Sequence, residues 1–316
     1  MNKPNCPMCQ AAELELLERL AVADLDYLYS RQLGIQVRSE FGGGDNLAFY
    51  RCRNCDLRFF WPMTTGGAKF YGELHHRDWY YLQEKREYLT ARRWLKKGNA
   101  VLDVGCGYGF FSTHVYNIEG GEFTGLELTE TAAQAAISRG LNVRRESIEQ
   151  HSRKWPERYD VVCSFQVLEH VSELRSFIKA GLACLKPGGL LIYSVPSADS
   201  FVSDVRNGIL NLPPHHVSWW TDQALENLSN ILQVELVEIK HEALEAVHFK
   251  SYAFSRALNV VERVIGRRQK LIDLSLPHKL ISFFALPVAL WHFLRVKLGA
   301  DQVPGHSVTA VYRKPQ

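Results

Sequence analysis

Short β-branched apolar runs alternate with amphipathic stretches along the chain, and the rhythm is clearest from residue 100 onward. Ala100–Val104 is a compact apolar run bounded by glycine and reads as a buried strand. Similar runs follow at 122–127, 141–144, Tyr159–Phe165, 190–195, 234–239 and 307–313. Helical stretches are predicted over 83–97, 110–116 and 129–139, the last stopped by Gly140. A further helix ends in Leu182-Ala-Cys-Leu-Lys-Pro-Gly-Gly189, where proline and glycine mark the stop. Between the last two strands, 245–305 reads as an insertion. There Phe254, Ala257, Leu258, Val261, Val264 and Ile265 recur at helical spacing, and 280–294 is an apolar run interrupted by Pro287. That run is too short to span a bilayer.

Length and composition frame this pattern without narrowing it. The 316 residues are 46% apolar and 22% charged, enough for one full α/β domain with a smaller companion. A net charge of +3 is too small to argue for a nucleic-acid partner. The start of the chain has no apolar signal core, so a cytoplasmic protein is expected.

The 7 cysteines include two Cys-x-x-Cys pairs, Cys6 with Cys9 and Cys52 with Cys55. Four thiolates so spaced make a closed tetrahedral shell for structural zinc, with no position left to activate water; the alternatives are four unrelated thiols or a redox pair. The ion would hold together a segment with too little core of its own. Gly42-Gly-Gly44 marks a turn within it, and Leu47-Ala-Phe-Tyr50 a strand leading into the second pair.

Gly105, Gly107 and Gly109 follow the first core strand directly. Strand, glycine turn and helix make a pocket where backbone meets ligand without side chains in the way. The spacing does not fit the three-glycine dinucleotide turn, which has two residues before its last glycine. Asp103, just inside the strand, would also repel a pyrophosphate. It suits a ligand that carries positive charge. Glu127 ends the second strand about 20 residues past the turn, where a carboxylate can take both ribose hydroxyls.

The run Asp103-Val-Gly105-Cys106-Gly107-Tyr-Gly109 resembles the first motif of class I S-adenosylmethionine-dependent methyltransferases. Val167-Leu-Glu-His-Val171 and Leu185-Lys-Pro-Gly-Gly189 are similar to later motifs of the ubiquinone-type members. The resemblance covers residues 100–240 and implies a doubly wound, Rossmann-like α/β sheet with the cofactor across its carboxyl ends. The expected organisation is a zinc ribbon over 1–60, an aromatic helical linker over 61–97 and a cofactor core over 98–244. The helical insertion at 245–305 and a last edge strand at 306–316 complete it. The resemblance implies S-adenosylmethionine contacts from Asp103, Gly105, Cys106, Gly107 and Glu127, with Gln166 near the methyl group. The adenine would lie by Ser147 and Ile148, where Glu146, Ser147 and Glu149 are all candidates to meet its amino group. Some relatives hold a divalent cation with Glu-x-x-Glu-His, but Gln166 takes the first position here, against a catalytic metal. The Asn/Asp-Pro-Pro-aromatic signature of nucleobase amino-methylation is absent, against DNA and RNA as substrates.

Leu212-Pro-Pro-His-His-Val-Ser-Trp-Trp220 lies past the fifth core strand. It is similar to the Glu-His loop of sugar C-methyltransferases, which also carry an N-terminal zinc segment. On that match His216 is the candidate base, with His215 in the glutamate's place. The alternative is a loop pair that only hydrogen-bonds to the helix start at Ser218 or Thr221. Among Phe70, Tyr71, Trp79, Tyr80, Tyr81 and Tyr88, Tyr80 or Tyr81 is expected to cover the cofactor or reach the substrate and the rest to pack. His75 and His76 read as solvated loop residues. The implied acceptor is a saccharide, such as a sugar nucleotide, or another small molecule. The insertion reads either as a lid or dimer surface, or as a peripheral membrane patch over 254–297 flanked by Lys279, Arg295 and Lys297. Two other functions fit the residues: an RNA methyltransferase that grips its substrate with the zinc segment, and a non-catalytic scaffold.

Overall fold

A computed structural model describes residues 4–75, 77, 80, 82–299 and 303–316. Trp79, Tyr81 and His76 lie outside the described residues. The N-terminal part contains β1 (Leu14–Ala21), α1 (Val22–Leu33), β2 (Asn46–Cys52) and β3 (Arg58–Trp61). α2 (Ala68–His75) and α3 (Arg86–Arg92) lead into β4 (Ala100–Val104), α4 (Ser112–Tyr116), β5 (Glu122–Leu126) and α5 (Glu130–Ser138). β6 (Val143–Arg144), α6 (Ile148–Lys154), β7 (Tyr159–Phe165), α7 (Leu174–Cys184) and β8 (Leu185–Pro196) follow. After a long loop come β9 (Ser218–Trp219), α8 (Asp222–Leu232) and β10 (Glu235–Ala243). The insertion is α9 (Phe249–Val264), α10 (Leu276–Phe284) and α11 (Leu286–Lys297), and β11 (Pro304–Arg313) closes the chain.

The central sheet has seven strands in the order β10-β11-β8-β7-β4-β5-β6. β4 through β8 pair in parallel, and β11 runs antiparallel between β8 and β10. Strand pleating sends alternate residues to opposite faces. Val101, Val161 and Ile192 therefore pack with Tyr88, Phe111 and Ala133 on one side. Leu102, Val162 and Leu191 pack with Ile178, Leu225 and Leu228 on the other. The doubly wound α/β expectation holds.

Several boundaries differ from the sequence reading. The helix expected over 83–97 is only α3, because Trp94 and Leu95 close on Ala91 and Arg92 in tight turns. β8 starts at Leu185 rather than 190, since Leu185 pairs with Tyr159 and Lys186–Gly189 bulge before Leu190 meets Val161. The backbone of His75 closes a helix instead of lying in a loop. α1 is an element that the sequence reading lacks. Its signal is Val22, Leu25, Leu28 and Tyr29 at helical spacing, with Gly34 as a left-handed stop.

The N-terminal sheet runs β1-β2-β3-β9, so its last strand comes from beyond residue 200. Arg58 and Phe59 pair with Trp219 and Ser218. Cys6, Met8, Cys52, Cys55 and Phe59 share one apolar cluster with the central sheet.

In the insertion, Phe254, Ala257, Leu258 and Val261 pack on α10 and α11, as their spacing implies. Val264 and Ile265 are exposed, contrary to it. The inner side of α9 is instead polar: Arg206 donates to Asn259 (2.9 Å) and Glu262 (3.1 Å), with Arg206 and Glu262 only 4% and 1% exposed. Among the described residues no single helix is long and apolar enough to cross a membrane. α10 and α11 pass that test only together, with a 50° bend between them.

Removing one member of a buried ion pair strands the other charge. Arg206→Met is therefore expected to destabilise the fold by about 3–5 kcal/mol, and Arg206→Met with Glu262→Met to recover much of the loss. Urea unfolding of both variants checks this; a single variant within about 1 kcal/mol of wild type would refute it.

Candidate functional site

A cavity of about 920 Å³ opens at the carboxyl ends of the parallel strands, where the strand order reverses between β4 and β7. Its lining includes Asp103, Gly105, Cys106, Gly107, Glu127, Ser147, Ile148 and Gln166, and also Tyr80, His215 and His216. These candidates from outside the cysteine segment thus face one space.

On the β4 side, Gly105 has φ +75°, and a Cβ there would come within 2.4 Å of Val167. Only glycine fits the turn. The Gly105 and Cys106 amides both donate to the Leu126 carbonyl, pinning the turn to β5. Glu127 accepts from the Gly107 amide (2.9 Å) and the Thr129 amide (2.7 Å), so it braces the turn as well as facing the cavity. Asp103 is buried, with the Cys163 thiol 3.9 Å from its carboxyl. Burial pushes that carboxyl up to about 7, with Lys85 opposing and Glu127 adding to the rise. Ser147 caps α6 by accepting from Gln150, and Glu146 is engaged by His151 and Lys154. The Gln166 amide donates to Glu87 and Ser307, away from the histidines.

Opposite them stands a wall of imidazoles. His215 Nδ1 lies 2.9 Å from the Leu210 carbonyl and His216 Nδ1 3.1 Å from Asn211 Oδ1. The histidines' bonds thus go to Leu210 and Asn211 rather than to Ser218 or Thr221, and Thr221 itself caps α8. Tyr80 places its hydroxyl 3.4 Å from His215 Nε2. The sequence reading missed Glu169, His170 and Tyr71 as members of this wall. Glu169 is 1% exposed, and His170 Nδ1 sits 2.6 Å from the His215 carbonyl. The Glu-His dipeptide at the end of β7 was the available signal. Burial holds His170 down to about 4, and His215 and His216 well below the usual imidazole range. Burial also raises Glu169 to about 8.

Residues 74–239, more than half of the chain, match the family described as methyltransferase domain. The chain belongs to this family, within the class I S-adenosylmethionine-dependent methyltransferases. It is 34% identical over 120 residues to the ubiquinone biosynthesis O-methyltransferase of Proteus mirabilis, covering 36% of this chain and 46% of that protein. The same enzyme of Photorhabdus laumondii is 37% identical over 103 residues, covering 31% and 42%. The chain thus spans less than half the length of these relatives. A solved methyltransferase of Archaeoglobus fulgidus superposes with TM-score 0.51 at 18% identity, over 77% of this chain and 100% of that one. It has the same fold.

In this chain the set of four cysteines is also assembled. Cys6 and Cys55 Sγ lie 3.5 Å apart, as do Cys9 and Cys52, and all four fall within 4.8 Å. A tetrahedral zinc site has sulfur–sulfur edges of about 3.8 Å, so the set fits the ion. The hydrogen bond between Cys6 and Cys55 draws the Cys6 thiol down and pushes Cys55 up, so the two sulfurs share a proton that a metal would displace.

A carboxylate meeting a cationic ligand loses its attraction on protonation. S-adenosylmethionine affinity should therefore weaken about tenfold per unit as pH falls from 7 toward 5, and Asp103→Asn should bind weakly with that dependence removed. Calorimetric titration across pH checks it; a wild-type affinity that is flat over this range would exclude Asp103 from cofactor binding.

Proposed function

We propose that this methyltransferase transfers the methyl group of S-adenosylmethionine to a hydroxyl-bearing saccharide, such as a sugar nucleotide, or a comparable small molecule. The observation that carries the reading is one cavity with the glycine turn, Asp103 and Glu127 on one side and Tyr80, His215 and His216 on the other. A nucleophile between them attacks the methyl carbon in line, the carbon–sulfur bond breaks onto sulfur, and the acceptor proton passes to His216 Nε2. That nitrogen is the acceptor because Asn211 Nδ2 donates to the Val202 carbonyl, leaving Oδ1 to receive the His216 Nδ1 proton. Glu169 Oε1 lies 3.9 Å from Nε2, where its ionised form would steady the imidazolium. The relatives' name, O-methyltransferase, supports oxygen as the methylated atom.

The cysteine segment is read as a zinc-bound brace. Its buried Met8, Cys55 and Phe59 belong to the core cluster, which favours bracing over a projecting grip on RNA. Phe283, Phe284, Leu290 and Trp291 are all more than half exposed on the outer side of α10 and α11. With Lys279, Arg295 and Lys297 on the same two helices, they support contact with an anionic lipid surface.

Incubation with methyl-labelled S-adenosylmethionine and a panel of nucleotide sugars should label an acceptor, and His216→Gln should lower kcat by about 10²–10⁴ with S-adenosylmethionine binding retained. A full-rate His216→Gln enzyme would remove the base and leave positioning as the whole effect. No turnover with any acceptor, despite tight cofactor binding, would return the chain to the scaffold reading. For the lipid contact, wild type should co-sediment with anionic vesicles and the double variant Phe283→Glu, Trp291→Glu should not. A concentration-dependent dimer without vesicle binding would assign the face to a second copy instead.

A further inference from the structure

The imidazole wall contains more acceptors than a proton acceptor needs. One ring nitrogen from each of His170, His215 and His216 falls within 4.8 Å of the others. The ring centroids are 4.5, 4.8 and 4.6 Å apart for the three pairs. Each Nδ1 has as its nearest partner an oxygen that only accepts, namely the His215 carbonyl at 2.6 Å, the Leu210 carbonyl at 2.9 Å and Asn211 Oδ1 at 3.1 Å, with the Tyr71 hydroxyl farther from His170 Nδ1 at 3.4 Å. Each Nδ1 must then carry the proton, and each Nε2 keeps a lone pair. Glu169 adds two carboxylate oxygens, both buried and without a hydrogen-bond partner among the described residues. Its Oε1 is 3.8 Å from His170 Nε2 and 3.9 Å from His216 Nε2. Lone pairs converge here, and the Tyr80 hydroxyl near His215 Nε2 can serve only one of them. In a buried wall that arrangement is costly unless a cation enters it.

We propose that His170, His215, His216 and Glu169 bind a divalent transition-metal ion in the acceptor half of the cavity. Three imidazoles and one carboxylate are a donor set for zinc, cobalt, nickel or iron rather than for magnesium or calcium. Nδ1–H groups held by carbonyl oxygens are the outer-shell arrangement that aims Nε2 at a metal. Ligands about 2.1 Å from a tetrahedral ion lie about 3.4 Å apart, and the Nε2 atoms of His170 and His216, at 3.8 and 3.9 Å from Glu169 Oε1, are already near that spacing. The set is not the carboxylate pattern Glu-x-x-Glu-His. Gln166 occupies its first position and gives its amide to Glu87 and Ser307, while two of the ligands come from the loop before β9. The presence of the ion does not depend on methyl transfer; with the ion seated, His216 Nε2 is a ligand and no longer the base, and the ion's use in holding an acceptor oxygen rests on the methyl-transfer reading.

Metal content and cobalt spectroscopy test this without an activity assay. Zinc-loaded, dialysed full-length protein should retain about two ions per chain, one of them on the four cysteines. His216→Gln and, separately, His170→Gln should retain about one. Cobalt(II) added to wild type whose cysteine site holds zinc should give visible d–d absorption without a thiolate charge-transfer band. That readout needs no variant to fold. Wild type with about one zinc per chain and no cobalt spectrum overturns the proposal. A second ion retained by both histidine variants overturns it too, because the ion then lies elsewhere.

Discussion

The Val217 amide donates to the Glu169 carbonyl at 2.8 Å, and its own carbonyl accepts from the Phe60 amide at 3.0 Å. Val217 is fully buried, so neither bond can be exchanged for water without opening the interior. Through this residue the end of β7, the histidine loop and β3 of the cysteine segment hold one another. The loop is tied to the N-terminal part in two further places. Tyr29 of α1 donates to the Ile209 and Leu212 carbonyls, and the Gly66 amide donates to the Pro214 carbonyl. A segment remote in sequence thus sets where His215 and His216 stand. Closing the four cysteines on one ion would stiffen β2 and β3, and through β9 the wall of the cavity.

The cavity is lined by carboxylates whose burial is expensive. Asp103 and Glu169 are raised by desolvation, and Glu242 is pushed up to about 7 by burial and by Glu87. Such groups lose water on folding and find few donors, so the free site is electrostatically unsatisfied. A sulfonium ligand beside Asp103, or a metal ion beside Glu169, would recover part of that cost on binding. One carboxylate stands with the glycine turn and the other with the imidazoles, and both line one space. Charge is therefore placed where ligands bring the opposite sign, and the fold keeps it there by the backbone bonds just described.

What is legible in the sequence follows from how local each feature is. Tyr159–Phe165 can be read to the residue because a buried parallel strand is a continuous apolar run that needs no partner to be recognised. Asp103, Gly105 and Glu127 are legible because strand, turn and strand end are adjacent in the chain. The histidine loop stands out, but its relation to Glu169 and His170 does not, since 45 residues separate His170 from His215 and no periodicity links them. β9 is invisible for the same reason: Ser218 and Trp219 become a strand only by pairing with Phe59 and Arg58. In the insertion, hydrophobic spacing finds the face of α9 that packs on α10 and α11. It cannot find the inner polar face, because Asn259 and Glu262 look like surface residues until Arg206 arrives from another segment.

That polar clamp also relates the exposed apolar face to the chemistry. Phe201 and Val202 line the cavity and also pack with Tyr252 of α9 and Val296 of α11. The outer faces of α10 and α11 carry Phe283, Phe284 and Trp291. The helices that carry this outer face thus also pack, on their inner side, against residues that line the cavity. An acceptor with a lipid tail would need only to reach across those helices, with its polar end toward His216 and its tail at the surface. Arg206 ties α9 to the loop after β8 through two hydrogen bonds, and that same loop carries Phe201 and Val202 of the cavity lining.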